Sequence, residues 1–514
     1  MEAQRRGSRV GPKVLSYPPR TFGGMFFAST TSAALVGVRP HPVRVEAFIG
    51  EPKNTFTLVG LPDTAVREAR DRVRSAIQAS GYGFPTRRVT VNLAPADLPK
   101  GGSAYDLPIA LGILSAAGIV PPQAARVVAV GELALDGSVR SVSGGLAAGL
   151  VAAERGLPCI AASETAREAG AVPGADVRVV TTLTEAVAVA MGRTQAPAPP
   201  PVVADDDGDV PDLADVRGQF QARRALEIAA AGGHHLLLSG PPGAGKTMLA
   251  RRLPGILPPL DEDEVLEVAC VHAAGRRTRL SRTRPFRAPH HSASLVALVG
   301  GGSGIPVPGE VSLAHRGVLF LDELAEFPPS ILDALRQPIE DGTITIARKG
   351  ITVTFPAVCQ LVAATNPCPC GYRGDRKRSC RCTSAAVGRY RRRLSGPLLD
   401  RFDLRVQVWR PDAEEFLARP GEPSAAVRAR VVDARRRQRL RGVANGRLTR
   451  AALDALEIEG DASKLLGEAL AAGKVTARGF DRVRRVARTI ADLAGSDVVG
   501  VEHVAEALTF RGQW

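Results

Sequence analysis

Residues 236–253, LLLSGPPGAGKTMLARRL, contain the pattern that decides the fold of the second half of this chain. The apolar run Leu236–Leu238 is typical of a buried strand, and residues 248–253 favour a helix. Between them, Gly-x-x-x-x-Gly-Lys-Thr has the spacing of a phosphate-binding loop, which needs a strand before it and a helix after it. The sequence therefore predicts a nucleotide site formed by Gly240, Pro241, Pro242, Gly243, Ala244, Gly245, Lys246 and Thr247.

The residue types in this loop suit the binding of a nucleoside triphosphate. Glycines let backbone N–H groups turn towards phosphates, and the amino end of the next helix adds the positive end of its dipole. Lys246 is expected to reach the β and γ phosphates, and Thr247 to hold Mg²⁺. ATP and Mg²⁺ are therefore the predicted cofactors.

Two further apolar runs end in polar side chains that suit phosphoryl transfer. Val318–Leu321 is followed by Asp322, the expected Mg²⁺ partner, and by Glu323, the expected general base for the attacking water. The run 361–365 is followed by Asn366, whose neutral amide can orient that water without adding charge. Ligands of an open parallel sheet bind at the carboxyl ends of its strands, so these groups are expected to converge.

The segment LLDRFD at 398–403 places one arginine between apolar and acidic neighbours. A cation at the developing charge accelerates phosphoryl transfer and is often supplied by a neighbouring subunit. Arg401 is the candidate for this arginine finger, and a finger in trans implies a ring or filament. The alternative is an intramolecular arginine–aspartate pair at the surface.

The pattern of residues 212–514 predicts an α/β domain at 212–410 with a parallel sheet, followed by a helical lid at 411–514. From about residue 424, strand signals stop and helical periodicity continues to Phe510. Seven arginines crowd the first part of that region, and they either face DNA or form a solvated face. They are Arg428, Arg430, Arg435, Arg436, Arg437, Arg439 and Arg441.

Composition limits the class of protein. The 514 residues allow roughly three domains, and no run of 18 apolar residues predicts a membrane span. Residues 1–24 lack the apolar core of a signal peptide and are expected to be a disordered tail, or an extension ahead of a start at Met25. Lys and Arg exceed Asp and Glu by 67 − 52 = 15, which is a reason to test for a nucleic-acid partner; the alternative is a solvated, arginine-rich surface. Few, clustered cysteines favour the cytoplasm.

The proline- and acid-rich stretch 192–211 predicts a linker between the nucleotide-binding unit at 212–514 and an N-terminal unit at 25–191. In that unit, predicted strands such as Thr55–Val59 and Arg88–Asn92 alternate with predicted helices such as Ala65–Ser80. The helix has one apolar stripe with a period typical of an amphipathic helix. The unit is therefore expected to be an α/β or α+β domain.

Residues 343–355 alternate with period two on both sides of Arg348-Lys349-Gly350, which predicts a β-hairpin with a basic tip. Two cations at a tip suit the gripping of phosphates without base recognition, so Arg348 and Lys349 are candidate DNA-binding residues. An ordinary surface hairpin is the alternative. His290 and His291 are expected to form loop structure rather than a metal site, because no matching ligand pair is near in sequence.

Four cysteines within 15 residues form two Cys-x-Cys pairs separated by nine residues. Such a set suits tetrahedral Zn²⁺ with no open position, which predicts a structural zinc site, although free or redox-active thiols remain an alternative. The candidate ligands are Cys368, Cys370, Cys380 and Cys382.

The motifs at 240–247, 317–323, 363–366 and 396–403 together resemble those of the magnesium-chelatase-like AAA+ ATPases, and specifically the ComM/YifB competence family. The resemblance continues through RPFRAPHHS at 284–292, PGEVSLAH at 308–315, LRQPIE at 335–340 and RVARTIADLA at 485–494. It covers nearly the whole chain outside the predicted tail and linker.

This resemblance implies a homo-hexameric DNA motor, a helicase that drives branch migration when incoming DNA recombines in natural transformation. The implied partner is single-stranded or branched DNA. The hairpin resembles the pore hairpin of hexameric helicase-type ATPases, and a lid arginine that acts on the γ-phosphate falls on Arg478 in preference to Arg482. The competing interpretations are a magnesium-chelatase-type subunit for metal insertion or protein remodelling, an ATP-dependent protease and an ATP-gated scaffold.

Residues 98–111 and 131–150 resemble the Lon protease domain. Lon-type chemistry needs a serine nucleophile and a lysine that takes its proton. The resemblance places Ala104 at the serine position, next to Ser103, and Gly149 at the lysine position. No lysine lies between Lys100 and the linker, so the domain is expected to be an inactive fold that serves assembly or partner binding.

Overall fold

The computed structural model describes residues 26–60, 64–200, 210–275, 278–302, 305–348, 351–375, 377–394, 396–417 and 419–511, with backbone alone at 64–67. The predicted tail, residues 201–209 of the predicted linker, and Lys349 and Gly350 of the predicted hairpin lie outside these ranges. The described chain divides into two compact units between residues 200 and 210, the turn at 36–38 aside.

The N-terminal unit contains a seven-stranded mixed sheet, two short paired strands and five helices. The strands are β1 (Phe26–Val36), β2 (Arg39–Ile49), β3 (Phe56–Val59), β4 (Val89–Ala94), β5 (Val128–Val130), β6 (Glu132–Leu133), β7 (Val139–Arg140), β8 (Cys159–Ala161) and β9 (Val177–Val179). The helices are α1 (Thr64–Ala79), α2 (Asp106–Ala116), α3 (Gly145–Arg155), α4 (Ser163–Gly170) and α5 (Leu183–Ala190). The sheet order is β3-β4-β2-β1-β5-β8-β9, with β2 antiparallel to β4 and β5 parallel to both β1 and β8.

Local pattern predicted part of this unit correctly. Helix α1 buries Ala69, Val73, Ala76 and Ile77, the apolar stripe of the predicted helix. The predicted strands at 55–59 and 88–92 correspond to β3 and β4. The long strands β1 and β2 were not predicted, because residues 26–49 mix apolar side chains with threonine, serine and charged groups.

Helices α3 and α4 approach each other closely through two glycines on one face of α3. A Cβ atom on Gly145 would lie 2.2 Å from the carbonyl oxygen of Thr165, and one on Gly149 would lie 2.4 Å from that of Ala169. Residues four apart share a helix face, so both contacts belong to one interface. Because the opposing atoms are backbone, a side chain at either position forces the helices apart.

The first part of the predicted linker is packed rather than free. Ala196 is buried, and the backbone N–H of Val179 donates to the carbonyl oxygen of Pro197 at 3.0 Å. Residues of the stretch 192–200 therefore attach to the edge strand β9. This contact is possible because proline lacks a backbone donor but keeps its carbonyl acceptor.

The second unit is built on a five-stranded sheet in the order β11-β14-β17-β10-β18, in which all neighbouring strands are parallel. Two antiparallel pairs, β12 with β13 and β15 with β16, are inserted along the chain. The strands are β10 (Leu236–Ser239), β11 (Phe286–Arg287), β12 (Gly300–Gly301), β13 (Val307–Pro308), β14 (Val318–Leu321), β15 (Thr343–Arg348), β16 (Ile351–Pro356), β17 (Gln360–Thr365) and β18 (Leu404–Gln407).

Helices surround this sheet and form the lid. Those of the core are α6 (Phe220–Gly232), α7 (Lys246–Ala250), α8 (Leu253–Ile256), α9 (Glu262–Ala274), α10 (Leu295–Val299), α11 (Glu310–Leu313), α12 (Pro329–Ala334), α13 (Arg336–Asp341), α14 (Ser384–Arg393) and α15 (Gly396–Leu399). Those that follow the sheet are α16 (Ala413–Leu417), α17 (Ser424–Leu440), α18 (Arg450–Asp454), α19 (Gly460–Ala471), α20 (Ala477–Ala494) and α21 (Val501–Thr509).

The lid and the sheet share one apolar core. Buried side chains of α17 and α20, such as Val431 and Ile490, belong to the same cluster as Leu236 of β10 and Val406 of β18. The single helix predicted at 248–253 is instead two short helices, α7 and α8, with Pro254 in the first turn of the second. In the described part of the chain, none of the helices is long and apolar enough to cross a membrane.

Substitution of Gly149 by alanine is expected to destabilise the N-terminal unit by about 1–3 kcal/mol, because the new Cβ atom would meet the backbone of Ala169. The measurement is denaturant unfolding of the full chain. The matched control is Gly467→Ala in α19, where a Cβ would meet nothing within 4 Å, and alanine should stabilise the helix by about 0.5–1 kcal/mol. Equal behaviour of the two variants would contradict the close helix contact.

Candidate nucleotide-binding site

The phosphate-binding loop connects the carboxyl end of β10 to α7. Gly243 and Gly245 have φ angles of +75° and +90°, a left-handed conformation that suits glycine. Gly240 is required for a different reason, since a Cβ atom there would lie 2.0 Å from the carbonyl oxygen of Val408. Backbone geometry and the close approach of the chain after β18 therefore determine these three positions.

The ammonium group of Lys246 lies where the loop meets the end of β17. It donates to the carbonyl oxygens of Gly240 and Pro241 at 2.7 and 3.0 Å, and to Oδ1 of Asn366 at 3.1 Å. Burial lowers the pKa of Lys246 to about 8. The predicted phosphate ligand and the predicted polar group of the third strand are thus in direct contact.

Thr247 and Asp322 are also in contact, as the predicted Mg²⁺ partners should be. The hydroxyl group of Thr247 donates to Oδ2 of Asp322 at 2.7 Å. The backbone N–H of Glu323 donates to the other carboxylate oxygen at 2.9 Å. A hydroxyl and a carboxylate offer the hard oxygen atoms that Mg²⁺ prefers, so these residues fit the implied ion.

These groups line one cavity because the strands that carry them are in register. Ser239 of β10 pairs with Thr365 of β17, and Leu321 of β14 pairs with Ala363. The residues just beyond the strands therefore meet at one edge. The cavity has a volume of about 340 Å³ and is lined by Pro242, Gly243, Ala244, Gly245, Lys246, Thr247, Met248, Asp322, Glu323, Thr365 and Asn366.

Glu323 occupies a strained backbone conformation, with a φ angle of +50° in the left-handed region. Its carboxylate lies 3.5 Å from Nδ1 of His291, and its side chain is 55% exposed. Phe320 and Leu321, the last residues of β14, are buried in the apolar core. The left-handed turn at Glu323 places its own side chain outside that core.

His291 is the residue of the site that the sequence did not reveal as a partner of Glu323. It follows β11, the strand that pairs with β14, so the two side chains come from neighbouring strands. Its ring also lies 4.0 Å from that of His290, measured between centroids. The sequence predicted loop structure for both histidines, and only the pairing of β11 with β14, which local pattern does not show, could have indicated the contact.

Arg401 is held by its own chain. Its guanidinium group pairs with Glu340 at 2.8 Å and donates to the carbonyl oxygens of Arg336 and Pro397 at 3.2 and 2.7 Å. The side chain is only 11% exposed. An intramolecular pair therefore exists, as the alternative interpretation allowed, but its acid is Glu340 rather than a neighbouring aspartate.

The two candidate lid arginines have different surroundings. Arg482 pairs with buried Asp403 at 2.6 Å and donates to the carbonyl oxygen of Arg401 at 3.0 Å. Arg478, in the first turn of α20, is exposed and has no hydrogen bond or ion pair among the residues that the structure describes. Arg482 thus connects the lid to the core, and Arg478 is available to a ligand.

The four predicted metal ligands lie together after β17. Their Sγ atoms all lie within 4.8 Å of one another. The Sγ atom of Cys368 is 3.4 Å from that of Cys370 and 3.6 Å from that of Cys380. Four thiolates about 2.3 Å from a tetrahedral Zn²⁺ would be about 3.8 Å apart, so Cys368, Cys370, Cys380 and Cys382 fit this ion.

The loop that carries the four cysteines, residues 368–375 and 377–382, is called the cysteine loop here. It packs against the phosphate-binding loop. A Cβ atom on Gly371 would lie 2.5 Å from Cδ of Pro242, so glycine permits the contact. Arg410 donates to the carbonyl oxygen of Pro242 at 2.7 Å and lies over the ring of Tyr372 at 5.5 Å. The cluster therefore supports one wall of the nucleotide cavity.

The basic hairpin is present as β15 and β16, which pair from Thr343 with Pro356 to Arg348 with Ile351. Arg348 is exposed at the end of β15. Of the predicted DNA-binding pair, Lys349 lies outside the described residues. Gly300–Gly301 and Val307–Pro308 form the separate antiparallel pair β12 and β13.

The protease-like residues of the N-terminal unit do not form a serine–lysine pair. The backbone contact at Gly149 leaves no room for a lysine. The buried ammonium group of Lys100 donates to the carbonyl oxygens of Pro95 and Gly60, the latter at 3.2 Å. Burial lowers the pKa of Lys100, but its hydrogen bonds go to these carbonyls. Ala104 has no nucleophilic side chain.

Four features meet at one edge of the five-stranded parallel sheet: a phosphate-binding loop, a Thr–Asp pair, a glutamate and an asparagine. Together with the helical lid, they define a magnesium-chelatase-like AAA+ ATPase. ATP and Mg²⁺ are implied by this class. Residues 212–416 match the family described as magnesium chelatase, subunit ChlI. Residues 44–164 and 421–511 match families described as subunit ChlI of Mg-chelatase and its C-terminal region.

Two relatives match nearly the whole chain, and a third matches a quarter of it. Uncharacterized protein YifB of Escherichia coli is 46% identical over 496 residues, covering 94% of this chain and 96% of the relative. Competence protein ComM of Haemophilus influenzae is 44% identical over 505 residues, covering 95% and 98%. Lon protease 2 of Bacillus subtilis is 32% identical over 139 residues, covering 25% of each chain. The chain belongs to the ComM/YifB family of magnesium-chelatase-like AAA+ ATPases.

Proposed function

We propose that this protein is an ATP-driven DNA motor that acts as a helicase in branch migration, during the recombination of incoming DNA in natural transformation. The convergence of Lys246, the Thr247–Asp322 pair, Glu323 and Asn366 on one cavity supports ATP hydrolysis. The formal net charge of +15 and the exposed basic hairpin support a nucleic-acid partner. The name of the similar competence protein supports the biological setting.

In this mechanism each group at the strand ends has one task. The phosphate-binding loop and Lys246 would hold the β and γ phosphates, and Thr247 and Asp322 would hold Mg²⁺, which would supply positive charge against the charge that develops on the phosphates. Glu323 accepts the proton of the attacking water. Asn366, in contact with Lys246, orients that water against the γ-phosphate.

Arg401 and Arg478 complete the site from other elements. Arg401 acts in trans as the finger of a neighbouring subunit, and its contacts with Glu340 and two carbonyl groups hold it in place. Arg478 acts from the lid on the γ-phosphate, because its guanidinium group is exposed while that of Arg482 is bound to Asp403. A finger in trans requires an oligomer, and we propose a homo-hexamer.

DNA contacts the hairpin through phosphates. The tip at Arg348 and Lys349 grips single-stranded or branched DNA without base recognition. We place the protein in the cytoplasm, where thiols stay reduced. In the structure none of the seven cysteines forms a disulfide bond. The N-terminal unit serves assembly or partner binding, since it has no serine–lysine pair for proteolysis.

A magnesium-chelatase-type subunit, for metal insertion or protein remodelling, is the second candidate. It is favoured by the matches of residues 44–164, 212–416 and 421–511 to magnesium-chelatase families. Such a subunit shares the ATPase site but does not need DNA. An ATP-dependent protease is disfavoured by the close contact at Gly149 and by the carbonyl contacts of Lys100.

The substitution Glu323→Gln should leave ATP binding intact and slow turnover at least about 100-fold, because an amide cannot accept the proton of the attacking water. Steady-state ATPase assays and nucleotide-binding titrations measure the two effects. Glu326→Gln is the matched control, since Glu326 lies in the same loop, pairs with Arg393 at 3.1 Å and does not line the cavity. Near-normal turnover of Glu323→Gln would refute its assignment as the base.

Arg401 is expected to act at the nucleotide site of a neighbouring subunit, whereas Arg478 is expected to act at the site of its own subunit. Arg401→Ala and Lys246→Ala should each be inactive alone, and mixing them should restore partial ATPase activity, because some interfaces combine an intact loop with an intact finger. Arg478→Ala should lower turnover without lowering the melting temperature, whereas Arg482→Ala should lower both, since it removes the guanidinium partner of buried Asp403. Verified mixed oligomers without activity would exclude a finger in trans.

Branched DNA should stimulate the ATPase activity, and the protein should then migrate the branch. Arg348→Ala should weaken DNA binding and reduce the salt dependence by about 0.7–0.9 per lost phosphate contact, while DNA-independent turnover stays unchanged. Arg348→Lys, which keeps the charge, is the control. Neither DNA binding nor stimulation at moderate salt would defeat the DNA motor and favour the magnesium-chelatase-type subunit.

Protein purified under reducing conditions and without chelators should contain about one zinc per chain. Cys380→Ser should lose the metal and lower the melting temperature, because the cysteine loop would lose its staple. Cys270→Ala is the control, since Cys270 is a core thiol outside the cluster. A zinc content well below one per chain in the unsubstituted protein would instead indicate free or redox-active thiols.

A further inference from the structure

A second cavity lies at the opposite edge of the sheet from the nucleotide site. Its volume is about 510 Å³, compared with about 340 Å³ for the nucleotide site. It is lined by Gly317 and Gln360, at the amino ends of β14 and β17, whereas Asp322 and Asn366 follow the carboxyl ends of the same strands. At about 3.3 Å per residue, these four- and six-residue strands separate the two cavities by roughly 13–20 Å.

Five arginines and one carboxylate line this space, which we call the arginine cavity. These residues are Arg284, Arg316, Arg435, Arg439, Arg447 and Glu264. Arg284 pairs with Glu264 at 2.9 Å. Arg316 lies 3.5 Å from Glu264 and 2.8 Å from Glu267, which is not part of the lining.

The other three arginines have no carboxylate partner within the part of the chain that the structure describes. Arg435 donates only to the carbonyl oxygen of Ala230, at 2.9 and 3.2 Å. The guanidinium group of Arg447 lies beside Gly342, at the base of the β15–β16 hairpin, and the guanidinium groups of Arg439 and Arg447 have no hydrogen bond or ion pair among those residues. The positive charge of the cavity therefore exceeds its negative charge.

Burial and the crowding of these cations lower the pKa of two of them. Burial, together with repulsion from Arg284, lowers the pKa of Arg435 to about 10. Burial also lowers the pKa of Arg447, and the nearby Arg316 adds to the effect. Arg435 is partly buried, whereas Arg439 and Arg447 are exposed at the mouth of the cavity. An anion placed among these cations would offset their mutual repulsion.

We propose that the arginine cavity binds a phosphate-bearing anion, as a second site separate from the phosphate-binding loop. Planar guanidinium groups present paired N–H donors that match phosphate oxygens, so several of them around one space suit this ligand class. The cavity is large enough for an anion up to the size of a nucleotide but too small for a duplex. Its volume lies in the ordinary range of ligand pockets.

The ligand would connect three parts of the motor unit. Arg435, Arg439 and Arg447 belong to α17 and the segment after it, Arg284 and Arg316 belong to the core, and Val358 lies between the hairpin and β17. A bound anion would therefore hold the lid against the core at the end of the sheet that is remote from ATP. The proposal does not depend on the proposed DNA motor.

The test uses the full chain with Lys246→Ala, which removes the phosphate ligand of the first site. Pyrophosphate, titrated calorimetrically at low salt, should bind this protein, and Arg439→Gln with Arg447→Gln should weaken binding at least about 10-fold. Arg436→Gln is the matched control, because Arg436 lies on the same helix, pairs with Asp433 at 2.9 Å, is 72% exposed and does not line the cavity.

Melting temperature provides a second measurement that is independent of affinity. Pyrophosphate should raise it in the Lys246→Ala protein and in the Arg436→Gln control, but not in the double variant, which should be at least as stable as its parent without ligand. No pyrophosphate binding, or binding and stabilisation that the double variant retains, would overturn the proposal. A single-stranded oligonucleotide added as a competitor identifies the source of the phosphate: displacement indicates a backbone phosphate, and no displacement indicates a free anion.

Discussion

The parallel hydrogen bonding of β14, β17 and β10 is the constraint on which the rest of the motor unit depends. Each strand ends beside a different chemical group, and only their shared register brings a carboxylate, an amide and a phosphate-binding loop to one edge. The strands are short and buried on both faces, with Leu236 in the core on one side of the sheet and Leu237 in the core on the other, so a shift of register by one residue would exchange the side chains of the two packed faces. Packing of the core and alignment of the site are therefore the same requirement.

The sequence was sufficient to find the individual motifs, because the phosphate-binding loop, the acids after β14 and the cysteine pairs are each local patterns. That the motifs meet was an expectation from the topology of a parallel sheet, and the contacts of Lys246 with Asn366 and of Thr247 with Asp322, 120 and 75 residues apart in the chain, are consistent with it. The contact of His291 with Glu323 and that of Arg482 with Asp403 were not predicted. Both depend on strand order or lid packing, which join residues distant in sequence.

The cysteine loop shows how a structural element can affect chemistry without touching a phosphate. Gly371 and Tyr372 lie within it, and Arg410 joins the ring of Tyr372 to the carbonyl oxygen of Pro242. Movement of the cysteine loop would therefore be transmitted to the wall of the nucleotide cavity. Because Cys368 follows Asn366 by two residues, the same loop also anchors the amide at the end of β17.

The glycine contact between α3 and α4 has an evolutionary consequence. A lysine at position 149 requires both a new side chain and a separation of the two helix backbones, since the carbonyl oxygen of Ala169 occupies the space of the first side-chain atom. One substitution cannot provide both changes. Every intermediate sequence would carry the packing defect without any catalytic benefit, because Ala104 also lacks a nucleophile. A side chain at position 149 therefore requires coordinated changes in α3 and α4, which keeps glycine at this point of the interface.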